Sequence, residues 1–241
     1  MERISQRQAA QTREITFETN VNCHAEGSCI VSCGQTKILC TATIEHKVPK
    51  FLYGKNQGWL TAEYAMLPRA TGERVRREVT SGKPSGRTQE IQRLIGRSLR
   101  AALDLKKLGE RQIIIDCDVL QADGGTRTAA INGGFVALSL ALKKLAQENI
   151  LKQDPLVKKI AAISCGMWQD EAIVDLDYLE DSNIDVDANF VLTDANEIVE
   201  IQASAEGGVF SKNDFAKMHN LAEQACQQIF KLQDAALAAS K

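Results

Sequence analysis

Histidine is scarce: only His24, His46 and His219 occur in 241 residues, and none stands in a recognisable nucleophile motif, so no Ser-His-Asp pattern competes. Seven cysteines, at 23, 29, 33, 40, 117, 165 and 226, include no Cys-x-x-Cys pair, which argues against a zinc site. Cys29, Cys33, Cys117 and Cys165 fall in apolar, strand-like stretches, where a reduced thiol serves as a small core residue. Long apolar runs are missing as well. Stretches such as "FVALSLAL" fall short of the ~20 residues of a membrane span, and the polar start "MERISQRQAAQTRE" lacks a signal peptide's apolar core. A cytoplasmic protein without a membrane partner is expected. No long linker interrupts the chain, so a single domain over 1–241 is expected, and 44% hydrophobic residues suffice for a substantial core.

Lysine and arginine are absent from Ile160 to Ser211, a stretch that holds twelve acidic residues. From Arg69 to Arg100 the balance reverses, with nine Lys or Arg against Glu73, Glu78 and Glu90. One region suits polyanions and the other cations, although each run taken alone is equally a solvated face.

"EITFETN" alternates apolar and polar residues, and "SCIVSCGQTKILCTATIEH" reads as a hairpin turning at Gly34-Gln35. "LTAEYAML" offers another strand. Residues 69–87, with three glycines and five arginines, read as an exposed, flexible basic loop. From Thr88 helical spacing of Ile91, Leu94, Ile95, Leu99 and Leu103 runs to a stop at Gly109, with Arg93, Arg97 and Arg100 striping the opposite side. "RQIIIDCDVL" is a strand and "AAINGGFVALSLALKKLA" a helix. "KKIAAISCGMW" with "EAIVDLDYL" predicts a second hairpin, "ANFVLTDANEIVEIQAS" a third, and "SKND" caps a last helix. This order lacks regular βαβ alternation and predicts an α+β fold: mixed sheets built from hairpins, with packed helices.

The junction "QADGGTRTAA" lies between a strand and a long helix. Paired glycines let backbone N–H groups converge, the helix start favours an anion, and Thr126 and Arg127 add a hydroxyl and a charged fork suited to phosphate. It is not a Walker loop, and a surface turn with a pairing arginine fits the local pattern too. Arg87, at the head of the next-upstream helix, is the natural second clamp. In "DLDYLEDSNIDVDANF" Asp175, Asp177, Asp181, Asp185 and Asp187 are all candidate ligands for a hard cation, and a solvated sheet edge accounts for them as well. An anion cradle, a carboxylate cluster and a basic loop together point to phosphoryl or nucleotidyl transfer on a polyanion.

The blocks "GWLTAEYAMLPRAT", "GRTQEIQRLIGRSLRAALDL", "LGERQIIIDCDVLQADGGTRTAAI", "DLDYLEDSNIDVDAN" and "VEIQASAEG" closely resemble the ribonuclease PH family, over about residues 13 to 235. The resemblance implies a phosphate-dependent 3′ exoribonuclease, a nucleotidyltransferase that trims tRNA precursors and other structured RNAs such as rRNA and releases nucleoside diphosphates. It assigns inorganic phosphate to Arg87, Gly125, Thr126 and Arg127. It assigns Mg²⁺, or Mn²⁺, and action on the leaving 3′ oxygen to Asp181 and Asp187. RNA would be gripped by Arg69, Arg74, Arg76, Arg77, Arg93 and Arg97, and the family forms homohexamers, trimers of dimers, so the resemblance divides these arginines between RNA and another subunit without assigning each one. "SQR" at 5–7 departs from the family's usual Asp-Gly-Arg, which bears on how the chain begins its fold. The alternative is a catalytically silent RNA-binding subunit of an exosome-like ring.

Overall fold

Strict alternation shapes the centre of the molecule: in strand β5 (Gln112–Gln121) Ile113, Ile115, Cys117 and Val119 are buried while the residues between them are half-buried. The computed structural model describes residues 3–240. β1 (Ile15–Thr19), β2 (Gly27–Cys33), β3 (Thr36–Glu45), β4 (Trp59–Met66) and β5 form one sheet in the order β1-β2-β3-β5-β4. The first hairpin turns at Gly34-Gln35 as expected. β4 and β5 are parallel neighbours, with Met66 opposite Val119. A parallel pair needs a crossover, and here it contains the basic loop, α1 (Gly86–Ala101) and α2 (Leu105–Leu108). Both strands therefore release their chains at the same end of the sheet. One leads to the start of α1 and the other to the start of α3 (Thr126–Gln147), so Arg87 and the glycine junction meet in space.

The helical spacing from Thr88 to Gly109 is divided in the structure. α1 ends at Ala101, Asp104 caps α2 through the Lys106 N–H (3.0 Å), and Gly109, at φ +70, stops the second helix. The basic loop is exposed and holds one short 3-10 turn, Glu78–Ser81, that begins with Glu78 accepting from Thr88 Oγ1 (2.8 Å).

β6 (Ile160–Trp168), β7 (Glu171–Val174), β8 (Val186–Thr193) and β9 (Ile198–Ala205) make a second, wholly antiparallel sheet in the order β7-β6-β8-β9. The predicted strand "EAIVDLDYL" stops at Val174. Asp175 turns left-handed (φ +58), and Asp177 then opens the one-turn helix α4 (Tyr178–Asp181) in a capping box with Glu180. Ser211 caps α5 (Lys212–Ala239), which covers the second sheet with Met218, Ala222, Cys226 and Ile229.

Helix α3 joins the two sheets. By length and composition it could cross a membrane, with mean hydropathy 1.3, but 78% of that stretch is buried in the protein, as befits a core helix. β7 pairs only with Cys165 to Trp168, leaving the earlier edge of β6 open. Asn132 of α3 fills that gap: its amide donates to Ala162 O and accepts from Ala162 N, both at 2.8 Å. On the first sheet, α3 crosses β2 so closely that a Cβ on Gly27 would lie 2.0 Å from the Ala137 carbonyl oxygen. Gly27→Ala should therefore cost about 1–3 kcal/mol by overpacking. The check is a lowered urea midpoint at unchanged m-value, and an unaltered midpoint would contradict this seating of α3.

Candidate active site

The junction after β5 is built from two successive left-handed glycines, Gly124 (φ +72) and Gly125 (φ +65). Glycine adopts this conformation without the steric cost that a Cβ carries. Thr36 Oγ1 fixes it, accepting from Asp123 N and donating to Gly124 O, each at 2.8 Å. A Cβ at Gly124 would lie 2.6 Å from the Leu176 carbonyl oxygen, so the junction abuts the turn that leads into α4. No side chain caps α3, which leaves its first N–H groups and the positive end of a 22-residue helix at the surface of a cavity. Thr126 is oriented by the buried phenol of Tyr64, 2.9 Å away.

That cavity, of about 340 Å³, is lined by Arg87, Gly125, Thr126, Arg127, Asp181 and Asp187. The six residues come from four separated parts of the chain. Arg127 is held by Gln202 of β9 (Nη1 to Oε1, 3.0 Å) and lies 3.6 Å from Glu90. Arg87 has no ion pair among the described residues and is exposed at the head of α1.

Five aspartates competed for the cation role, and geometry separates them. Asp175 is buried and saturated: Arg13 binds it through Nε (3.0 Å), Nη2 (2.7 Å) and backbone N (2.7 Å), and Arg7 lies 3.3 Å away. Burial alone would raise its pKa, but the hydrogen bonds and charge of Arg13, with Arg7, hold it below the ordinary value. Asp177 caps α4, and Asp185 accepts from Gln169 N (3.1 Å). Asp181 and Asp187 remain, facing the cavity. Burial raises both, against the opposing charge of Arg87 and Arg127; for Asp187 burial and then the nearby Asp181 push it up to about 6. Asp187 Oδ1 is buried without a hydrogen-bond partner among the described residues. Two carboxylates that disfavour each other's charge, one with an orphaned oxygen, form a donor set that fits a hard divalent cation.

The arginines outside the cavity divide. Arg76 and Arg77 line a neighbouring recess that shares Met66 and Arg87 with the cavity. Arg69 and Arg74 are exposed on the loop. Arg93 and Arg97 border a groove between α1 and β4, and Arg97 is bound bidentately by Glu200 (2.8 and 2.6 Å). Sequence reasoning missed Tyr64, Ser164, Asn189 and Gln202. Ser164 and Asn189 are register partners across β6 and β8 and line the cavity, and Gln202 pairs with Asn189 from β9. The alternation Asp187, Asn189 on one strand was the available signal.

The start of the chain, where "SQR" departs from the family pattern, is also built in. Arg3 pairs with buried Glu180 (2.7 Å), Ser5 donates to the same carboxylate (2.7 Å), and Arg7 reaches it at 2.9 Å. This cluster ties the first residues to α4 and holds Glu180 down at about 2 despite its burial, chiefly through Arg3 and Ser5.

Asp187 couples the stability of the fold to pH. The unfolded carboxyl ionises near 3.8 and the folded one near 6, so the fold loses stability as pH rises through that interval. With a chelator present, Asp187→Asn should match wild type at pH 4 or below. It should gain on wild type as pH rises to about 6 and keep an advantage on the order of 1–3 kcal/mol above it. Urea unfolding across pH checks this, and an advantage that shrinks with rising pH would contradict it.

Residues 11–144 match domain 1 of the 3′ exoribonuclease family and residues 159–225 match its domain 2. Over 235 residues the chain is 57% identical to ribonuclease PH of Caulobacter vibrioides (strain NA1000 / CB15N), covering 98% of this chain and 99% of that protein. Among solved structures, rice (Oryza sativa) Rrp46 superposes with a TM-score of 0.79 at 19% identity, covering 98% of this chain and 100% of that one. A chain of the Archaeoglobus fulgidus exosome with RNA bound to the active site gives 0.78 at 21% identity, covering 95% and 92%. These two establish likeness of fold, and the family models and the near full-length relative establish descent: the chain belongs to the 3′ exoribonuclease family, alongside ribonuclease PH.

Proposed function

We propose that this chain shortens RNA from the 3′ end by phosphorolysis, with inorganic phosphate as nucleophile, and that tRNA precursors and other structured RNA 3′ ends such as those of rRNA are its substrates. The observation that carries the site assignment is the single cavity shared by Arg87, the Gly125–Thr126–Arg127 cradle, Asp181 and Asp187. Phosphate bound by the two arginines and the first N–H groups of α3 is fixed in place for in-line attack on the terminal phosphodiester. One P–O bond forms to the attacking phosphate and the bond to the 3′ oxygen breaks, releasing a nucleoside diphosphate. Asp187, beside Asp181 in the same cavity, is the group assigned to act on that oxygen as it leaves. Asp181 and Asp187 would hold Mg²⁺, or Mn²⁺, which when bound neutralises charge on the leaving group. Since a phosphodiester is exchanged for a phosphoanhydride, the reverse addition of nucleotides is accessible to the same residues.

The exposed arginines of the loop and of α1 supply salt-dependent, sequence-blind RNA contacts, shared with the subunit contacts of a homohexamer. Seven free cysteines, six of them buried, are consistent with work in the reducing cytoplasm. A silent ring subunit would leave the phosphate cradle and the unpartnered carboxylate oxygen without a role.

Incubation of the protein with a tRNA bearing a 3′ extension should release nucleoside diphosphates only when phosphate is present. Nucleoside monophosphates, or indifference to phosphate, would refute the proposal. Arg127→Ala and Arg87→Ala should each lower kcat/KM for phosphate roughly 10²–10³-fold and leave RNA affinity nearly intact. Replacing Arg76 and Arg77 together should flatten the salt dependence of RNA binding by about one to two in slope. An unchanged slope would move them to a subunit contact.

A further inference from the structure

Arg13 lies outside the proposed catalytic set, yet it is the side chain that touches both halves of the site. Its Nη1 donates to the carbonyl of Asp123, at the phosphate junction. Its Nη2 and Nε bind the two oxygens of Asp175, and Nη2 also reaches the Leu176 carbonyl (3.2 Å), in the turn that leads into α4 and Asp181. The side chain is 8% exposed, and it passes so close to the first hairpin turn that a Cβ on Gly34 would lie 2.6 Å from Arg13 Cδ. The left-handed Gly34 thus makes room for the arginine, and the rigid guanidinium fork spans a gap that a single ammonium would not.

We propose that Arg13 is a positioning residue that sets the distance between the phosphate cradle and the carboxylate arm. Phosphate and the leaving oxygen lie on opposite sides of the phosphorus under attack, so their binding groups must be held in register, and displacement by a fraction of an ångström is enough to lower the rate. The two arms belong to different sheets and are far apart in sequence. Arg13 supplies a direct polar link between them. This inference rests on the phosphorolytic reading.

The test is steady-state phosphorolysis by Arg13→Lys, which keeps the positive charge beside Asp175 and removes the fork. Because both arms move, phosphate KM should rise about tenfold and kcat should fall tenfold or more, with RNA affinity within twofold of wild type. A purely structural role would reduce the folded fraction and leave the phosphate KM of the surviving enzyme unchanged, and that result would overturn the inference. If Arg13→Lys does not fold, Thr36→Val loosens the same junction from its other side and leaves Asp175 untouched. It should raise phosphate KM several-fold, and a wild-type KM there would likewise overturn the inference. Wild-type release of nucleoside diphosphates in the same assay distinguishes the two levels: its absence defeats the phosphorolytic reading, whereas normal kinetics in the variants defeat only the role of Arg13.

Discussion

The buried pairing of Arg13 with Asp175 is the contact on which the arrangement of the site depends. Removing either partner would strand a charge in a place with little water, and the fold answers by surrounding both with further donors and acceptors: Arg7, the Arg13 backbone N–H, and the carbonyls of Asp123 and Leu176. The pair joins the first sheet, which carries the phosphate cradle, to the second, which carries the acidic arm. Helix α3 supplies the complementary join through the core, where Asn132 completes the open edge of β6.

The electrostatic division of labour follows from that arrangement. The acidic stretch looked uniform as a string of letters, but its members have different fates. Asp175 and Glu180 are neutralised by arginines from the first thirteen residues, and Asp177 is spent on a helix cap. Asp181 and Asp187 keep unsatisfied charge beside two cavity-facing arginines. Carboxylates held at raised pKa opposite guanidinium groups suit a reaction that must bind a polyanion, approach it with another anion and discharge a leaving oxygen.

Much of this was legible in the sequence because its local signals are strong. The Ile113 to Val119 alternation, the turn at Gly34-Gln35 and the Ser211 cap each correspond to the element they announce. The family blocks also contain Arg87, Gly125, Thr126, Arg127, Asp181 and Asp187, which the fold brings to one cavity that Ser164 and Asn189 line as well. What local pattern missed was tertiary. No periodicity marks β4 and β5 as a parallel pair, and that pairing is why Arg87 and Arg127 share a cavity. The break between α1 and α2 was hidden because Leu103 continues the helical spacing while Asp104 imposes a new cap. No local pattern pairs Arg3, Arg7 and Arg13 with Asp175 and Glu180, which lie more than 160 residues away in the chain.

The central claim is that phosphate bound between the arginines and the acidic pair is itself the attacking group. It is tested most directly by supplying ¹⁸O-labelled inorganic phosphate during trimming of a 3′-extended tRNA and analysing the released nucleotide by mass spectrometry. The account predicts nucleoside diphosphate carrying the labelled oxygens of one phosphate in its β-phosphoryl group. Unlabelled nucleoside monophosphate would show that water is the nucleophile and would contradict it.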